Sequence, residues 1–139
     1  MKTITFFLAL HCSALCIAQG QLFEELPSMP EAVTNNAVTG AISGDTFCVY
    51  SFCGLDFTKI WSGIHLKAWR MNTVTGEWSS LPPVPDPAGG KIAAAASTVK
   101  NRIYVIGGYH VAQNGSETSS AKVHRFDPQT NAWLSDGTP

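Results

Sequence analysis

Leu66-Lys-Ala-Trp-Arg-Met-Asn-Thr-Val-Thr-Gly-Glu-Trp78 lines up with Ala121-Lys-Val-His-Arg-Phe-Asp-Pro-Gln-Thr-Asn-Ala-Trp133, 55 residues further along the chain. The same shift carries Phe23-Glu-Glu-Leu-Pro-Ser-Met-Pro30 onto Trp78-Ser-Ser-Leu-Pro-Pro-Val-Pro85. Upstream, Val49-Tyr-Ser-Phe-Cys-Gly54 matches Ile103-Tyr-Val-Ile-Gly-Gly108 at a shift of 54, so a one-residue indel lies in the loop between. The apolar runs ahead of these, Ala37-Val-Thr-Gly-Ala-Ile-Ser43 and Lys91-Ile-Ala-Ala-Ala-Ala-Ser97, keep the 54-residue spacing. Each period therefore holds four short strand candidates, and a period near 50 with four strands predicts an all-β propeller array.

Composition agrees with this pattern. Charged residues make up 14% of the 139-residue chain and the formal net charge is -1, so no excess of Lys and Arg exists to hold a phosphate backbone. Nucleic acid is excluded as an expected partner. Twelve Gly, 8 Pro and 10% aromatic residues favour short strands and frequent turns over long helices.

Local chemistry sharpens the strand assignment. Asp127-Pro-Gln-Thr-Asn131 carries Asp followed by Pro, the chemistry of a type I turn, and Asn72-Thr-Val-Thr-Gly76 does the same job less strongly. The small side chains of Ala93-Ala-Ala-Ala-Ser-Thr98 suit the innermost strand of a blade, where strands crowd a central axis. Trp78 and Trp133 read as apolar wedges between neighbouring blades. Gly107-Gly108 is followed by neither a helix nor a Lys-Ser/Thr pair, so it reads as a bulge with close backbone approach rather than a phosphate loop.

With these residues in view, the chain resembles the Kelch repeat, in which an apolar strand ends in Gly-Gly and an aromatic residue and a Trp follow. The repeat from Ile103 to Trp133 fits well; the first departs by placing Cys53 ahead of Gly54 and by carrying Trp69 inside a strand. The resemblance implies a propeller of four-stranded blades with about two blades present. Repeat 1 covers about 23–77, repeat 2 about 78–132, and a third begins at 133, within a partial propeller spanning 19–139. By analogy with closed rings, four or five further blades are expected, and the chain reads as a fragment. Some Kelch-like propellers are galactose oxidase-type copper enzymes or sialic-acid mutarotases. No residue here matches their sites position by position, so no catalytic residue, cofactor or metal is expected.

Residues 1–18 read as a signal peptide. Met1-Lys2 supplies a positive end, Thr3 to Ile17 is mostly apolar, and Cys16-Ile17-Ala18 offers small residues at the cleavage positions. The run is too short to span a bilayer, which needs about 20 residues. A secreted or periplasmic protein with no membrane span after cleavage is expected. Cys12 and Cys16 leave with the leader, and Cys48 and Cys53 remain. If they share one strand, their sulfurs lie roughly 16 Å apart, beyond disulfide reach, so both read as buried thiols.

Function is sought on the loops, where propellers carry their binding surfaces. The longest, Leu55 to Ile64 and Tyr109 to Ser120, hold equivalent places in the two repeats and are expected on one face. Asp56, Lys59 and Trp61 in the first combine an aromatic plate with polar flanks suited to a sugar or peptide; Tyr109, His110, Asn114 and Glu117 in the second are polar. Asn114-Gly-Ser116 is also a glycosylation sequon. The expectation is a non-catalytic module that binds a protein or a carbohydrate, with part of a carbohydrate-active propeller enzyme as the alternative.

Overall fold

A computed structural model describes residues 25–135. The proposed leader and its cleavage site lie outside these residues. The strands are, in chain order, β1 (Ala37–Ser43), β2 (Thr46–Leu55), β3 (Ile64–Asn72), β4 (Trp78–Leu81), β5 (Ala95–Val99), β6 (Arg102–Ile106), β7 (Tyr109–Val111), β8 (Glu117–Ser119), β9 (Val123–Asp127) and β10 (Ala132–Leu134). They form one four-stranded antiparallel sheet in the order β1-β2-β3-β4, a second in the order β10-β9-β6-β5, and a two-stranded ribbon of β7 and β8. Among the described residues no helix is long and apolar enough to cross a membrane.

The sheets meet with β1 against β5, which explains the small residues in both strands. Ala37 and Ala41 of β1 are buried, and Thr98 Oγ1 donates to Gly40 O across the junction at 2.8 Å. Further out, Tyr50 and Phe52 of β2 face Phe126 of β9 and Trp133 of β10. Ring centroids lie 5.9 Å apart for Phe52–Phe126, 5.6 Å for Phe52–Trp133 and 5.0 Å for Phe126–Trp133, all edge-on. Such pairs add about 0.5–1.5 kcal/mol each beyond area burial. Trp133 is thus the wedge its position predicts, and its indole N–H donates to Pro82 O at 2.9 Å; Trp78 repeats this bond to Pro27 O, also 2.9 Å.

The two turns read from sequence both close through their first residue. Asp127 Oδ1 accepts from Gln129 N at 2.9 Å, and Asn72 Oδ1 accepts from Val74 N at 2.8 Å. The Asp127 turn also docks on the first sheet, where Gln129 Nε2 donates to Ile42 O at 3.0 Å.

The repeat register differs in one place. Ala37 pairs with Phe52 as Ala95 pairs with Ile106, and the isolated bridge Thr34–Leu55 corresponds to Ile92–Tyr109. The first strands are therefore related by 58 residues and the second strands by 54. The hairpin of the first sheet is longer by two residues on each strand, turning at Gly44-Asp45 instead of Lys100-Asn101. A constant 54-residue spacing pairs apolar letters correctly but slides β1 by four places, because a hairpin can lengthen in pairs without disturbing the alternation of its faces.

The glycine pair makes the close backbone approach read from its position, while the bulge is found at the equivalent place in the first sheet. Gly107 and Gly108 have φ of 64° and 86°, and a Cβ on Gly108 would lie 2.7 Å from Ile92 O. In the first sheet the same places hold Cys53, with φ of 57°, and Gly54, whose added Cβ would meet Val33 at 2.5 Å. The left-handed Cys53 marks a bulge between Phe52 and Gly54, so strand alternation fails and both Phe52 and Cys53 are buried. Cys48 and Cys53 are both free thiols, as expected.

Candidate functional site

The loop between β2 and β3 is closed by its own hydrogen bonds. Asp56 N donates to Gly63 O at 3.1 Å, Gly63 N to Ile60 O at 2.9 Å, and Thr58 N to Asp56 Oδ1 at 2.9 Å. The bonds from the Thr58 hydroxyl and backbone hold the Asp56 carboxyl below the usual carboxylate range. Asp56 is thereby a staple of its loop rather than a free contact. Lys59 sits exposed at the tip with φ of 55°, and Trp61 opens a 3-10 turn, Trp61–Gly63, with its indole half-exposed.

The segment from Tyr109 to Ser120, read as a loop, is largely a ribbon. Tyr109-His-Val alternates against Glu117-Thr-Ser, and the turn between them uses Gly115, φ 82°, with Asn114 Oδ1 accepting from Ser116 N at 3.0 Å. Asn114 and Glu117 are exposed on this ribbon, away from the clefts described below. Tyr109 ties the ribbon to the linker before β5 through paired backbone bonds with Ile92 of 3.0 and 3.1 Å.

The two segments meet. Trp61, Ser62 and Ile64 from the first and His110 and Val111 from the second line one cleft of about 290 Å³, completed by Ala88 and Gly90 of the linker between the sheets. His110 and Ala88 also border a second hollow of about 340 Å³, lined by Thr118, Ser119, Ser120 and Lys122 with Asp86 beneath. Of the residues singled out from sequence, Trp61 and His110 converge; Asp56, Lys59, Tyr109, Asn114 and Glu117 do not line these clefts.

Below His110 lies a cluster that sequence reasoning missed. Asp86 Oδ2 accepts from Lys91 Nζ at 3.1 Å and meets His124 Nε2 at 3.3 Å and His110 Nε2 at 3.8 Å, while Asp86 Oδ1 accepts from Ala88 N at 3.1 Å. The side chains of both Asp86 and Lys91 are fully buried. Burial pushes the Asp86 carboxyl upward, but the bonds from Ala88 N, Lys91 and His124 outweigh it and hold the group below its ordinary range. His124 is pushed down by burial and by Lys91, with Asp86 offsetting part. His110 Nδ1 lies 2.9 Å from Gly90 O, so its ring is fixed from both sides. Cys53 lies within the field of Lys91 and Asp86, and burial raises its thiol to about 12.

The linker can sink a charged pair because Gly90 lets it approach β3 closely: an added Cβ would lie 2.2 Å from Ile64 O. One signal for Asp86 was available in the sequence, since it stands 55 residues after Glu31 and continues the aligned proline-rich segment. Nothing in the apolar run that begins at Lys91 announced that the lysine would be buried.

Two four-stranded antiparallel sheets that meet at their first strands, seamed by an aromatic wedge and roofed by inter-strand loops, define consecutive blades of a β-propeller. Residues 93–135 match the Kelch motif. The solved structure of YjhT superposes with a TM-score of 0.56 at 26% identity, over 78% of this chain. These matches support a fragment of a Kelch-repeat β-propeller. It spans 28% of the length of YjhT. No curated protein matches the sequence.

Proposed function

We propose that these blades belong to a non-catalytic binding module that recognises carbohydrate on its loop face. The carrying observation is that Trp61 and His110, from equivalent segments of neighbouring blades, line one cleft with mixed polar and apolar walls. A half-exposed indole offers a flat apolar plate for the C–H face of a sugar ring, and a ring-fixed imidazole with Ser62 gives the cleft polar edges. The rigid staple at Asp56 presents Trp61 without a large ordering cost on binding. The test is titration calorimetry of the full chain against a panel of disaccharides. At least one should bind, and Trp61→Ala should weaken it about tenfold or more; a panel without a binder removes the reading.

A second reading, part of a carbohydrate-active enzyme, draws on the buried Asp86, His110 and His124 cluster beside the cleft. Copper content and turnover of galactose or sialic acid by the whole protein separate it from the first. Export is part of the proposal. It rests on the pattern of residues 1–18 and predicts a mature N-terminus at Gln19.

A further inference from the structure

We infer that the hollow beside His110 takes a carboxylate, so that the preferred ligand of the cleft is an acidic saccharide of the uronate type; this rests on the carbohydrate reading above. The two repeats treat one lysine position differently. Lys67 and Lys122 stand 55 residues apart at equivalent positions, and so do Glu31 and Asp86. In the first blade the lysine has its acid, since Lys67 Nζ bonds Glu31 Oε2 at the surface. In the second, Asp86 is one methylene shorter and turned inward, with Lys91 and His124 on one oxygen and Ala88 N on the other. Lys122 keeps its place but has no ion-pair partner among the described residues.

Its backbone is fixed, with Lys122 N donating to Ser120 Oγ at 3.3 Å and Lys122 O accepting from Gly107 N at 3.0 Å. The half-buried lysine lines the hollow together with Thr118 and Ser119, exposed residues on the ribbon. Apart from the imidazole of His110, the other titratable group of the hollow is Asp86, whose charge is answered from within by Lys91. Glu117, the acid of the ribbon, pairs with Val111 toward its tip and does not line the hollow. An unanswered ammonium with hydroxyls beside it suits a carboxylate, and the shared border at Ala88 and His110 joins it to the cleft of Trp61. A ligand bridging the two stacks one ring on Trp61 and offers the carboxylate of the next to Lys122.

The experiment is calorimetry of the full chain with digalacturonic acid and with the neutral digalactose of the same linkage. At low salt the acidic sugar should bind about tenfold tighter, as one charge-assisted bond allows, and the advantage should shrink as salt screens it. Lys122→Gln should bring the affinity ratio to about one, Lys122→Arg should keep it, and Lys67→Gln should leave it as in the native chain. Equal affinity for the two sugars, or a ratio that survives Lys122→Gln, overturns this inference while leaving carbohydrate binding standing. Absence of binding by either sugar overturns this inference alone if another disaccharide of the panel binds in a Trp61-dependent way, and overturns both readings if none does.

Discussion

Glu31 and Asp86 hold the same place in successive repeats, and the protein uses them in opposite ways. Glu31 reaches a surface lysine across a half-exposed gap, where water screens both charges. Asp86 is sunk beneath the ribbon of the second blade with Lys91, both side chains fully out of water. Loss of one methylene, a Pro on either side and a glycine that lets the linker press onto β3 are what separate the two. A repeat position thus carries geometry from blade to blade but not environment, and environment decides whether a charge decorates the surface or organises a site.

The largest effect should come from breaking the buried pair. Lys91→Met leaves the Asp86 carboxylate buried with histidines in place of its cation, and about 3–5 kcal/mol of stability should be lost. Lys67→Met in the first blade should cost no more than about 1 kcal/mol, because exposed pairs are screened and their side chains are costly to order. Urea unfolding of the full chain reads both. The comparison breaks if the two substitutions cost the same. Replacing Asp86 and Lys91 together by Leu and Met should restore most of the loss, since what hurts is a buried charge without its partner rather than the absence of the pair.

Next in size is Gly108→Ala. The added Cβ meets Ile92 O at 2.7 Å on a backbone with φ of 86°, so about 1–3 kcal/mol of backbone strain is joined by a clash that the linker must relieve. Gly115→Ala shares the positive φ, 82°, but has nothing within 4 Å of the new methyl and should cost about 1 kcal/mol. Thermal melts of the two variants separate conformation from contact.

Acid should open the seam in two stages. The His124 value is depressed, so the unfolded chain takes up its proton first; its contribution is complete above the usual histidine value of 6.5 and is lost as pH falls below that toward the folded value. The Asp86 value is depressed too, so its contribution is present above the ordinary 3.8 and lost as pH falls through the lower folded value. His65, depressed by burial and by Lys67 in the first blade, adds to the first stage. Stability measured against pH should therefore fall below about 6.5 and again in the strongly acidic range. His124→Phe should reduce the first stage without abolishing it. A flat profile between pH 7 and 5 would contradict the burial of both histidines.

The fold was readable because each blade announces itself in small units: apolar runs near one turn signal, a Trp that closes the last strand, a glycine pair where the chain must bend. Trp133 and Gly108 carry their roles in their identity, since few other residues provide a wedge of that size or a left-handed backbone in close contact. The site was readable only in part. Trp61 and His110 stood out as an aromatic and an imidazole in matching loops, but Asp86, Lys91 and Lys122 are ordinary surface letters whose meaning comes from which side of the linker they fall on. That is set by packing between segments far apart in the chain, where a one-dimensional pattern has no reach. The hairpin of the first sheet shows the same limit, because lengthening by two residues per strand leaves every face assignment intact.

Cys53 gives the finest test of how far the blades are interchangeable. It holds the place of Gly107 with φ of 57°, a conformation that costs an L-residue roughly 1–2 kcal/mol and a glycine almost nothing. Against that, its thiol is buried among apolar neighbours of the seam, and removing it leaves a small void whose cost is of the same order, about 1 kcal/mol. Cys53→Gly should therefore change stability by less than about 1 kcal/mol in either direction, because the gain in backbone freedom and the loss of packing nearly cancel. In the native chain the same thiol should resist alkylation at pH 8, since burial holds it at about 12 and little thiolate exists. Rapid modification under native conditions would mean that the seam opens at this point. A large loss of stability on Cys53→Gly would mean that the first blade depends on the thiol in a way the second blade does not.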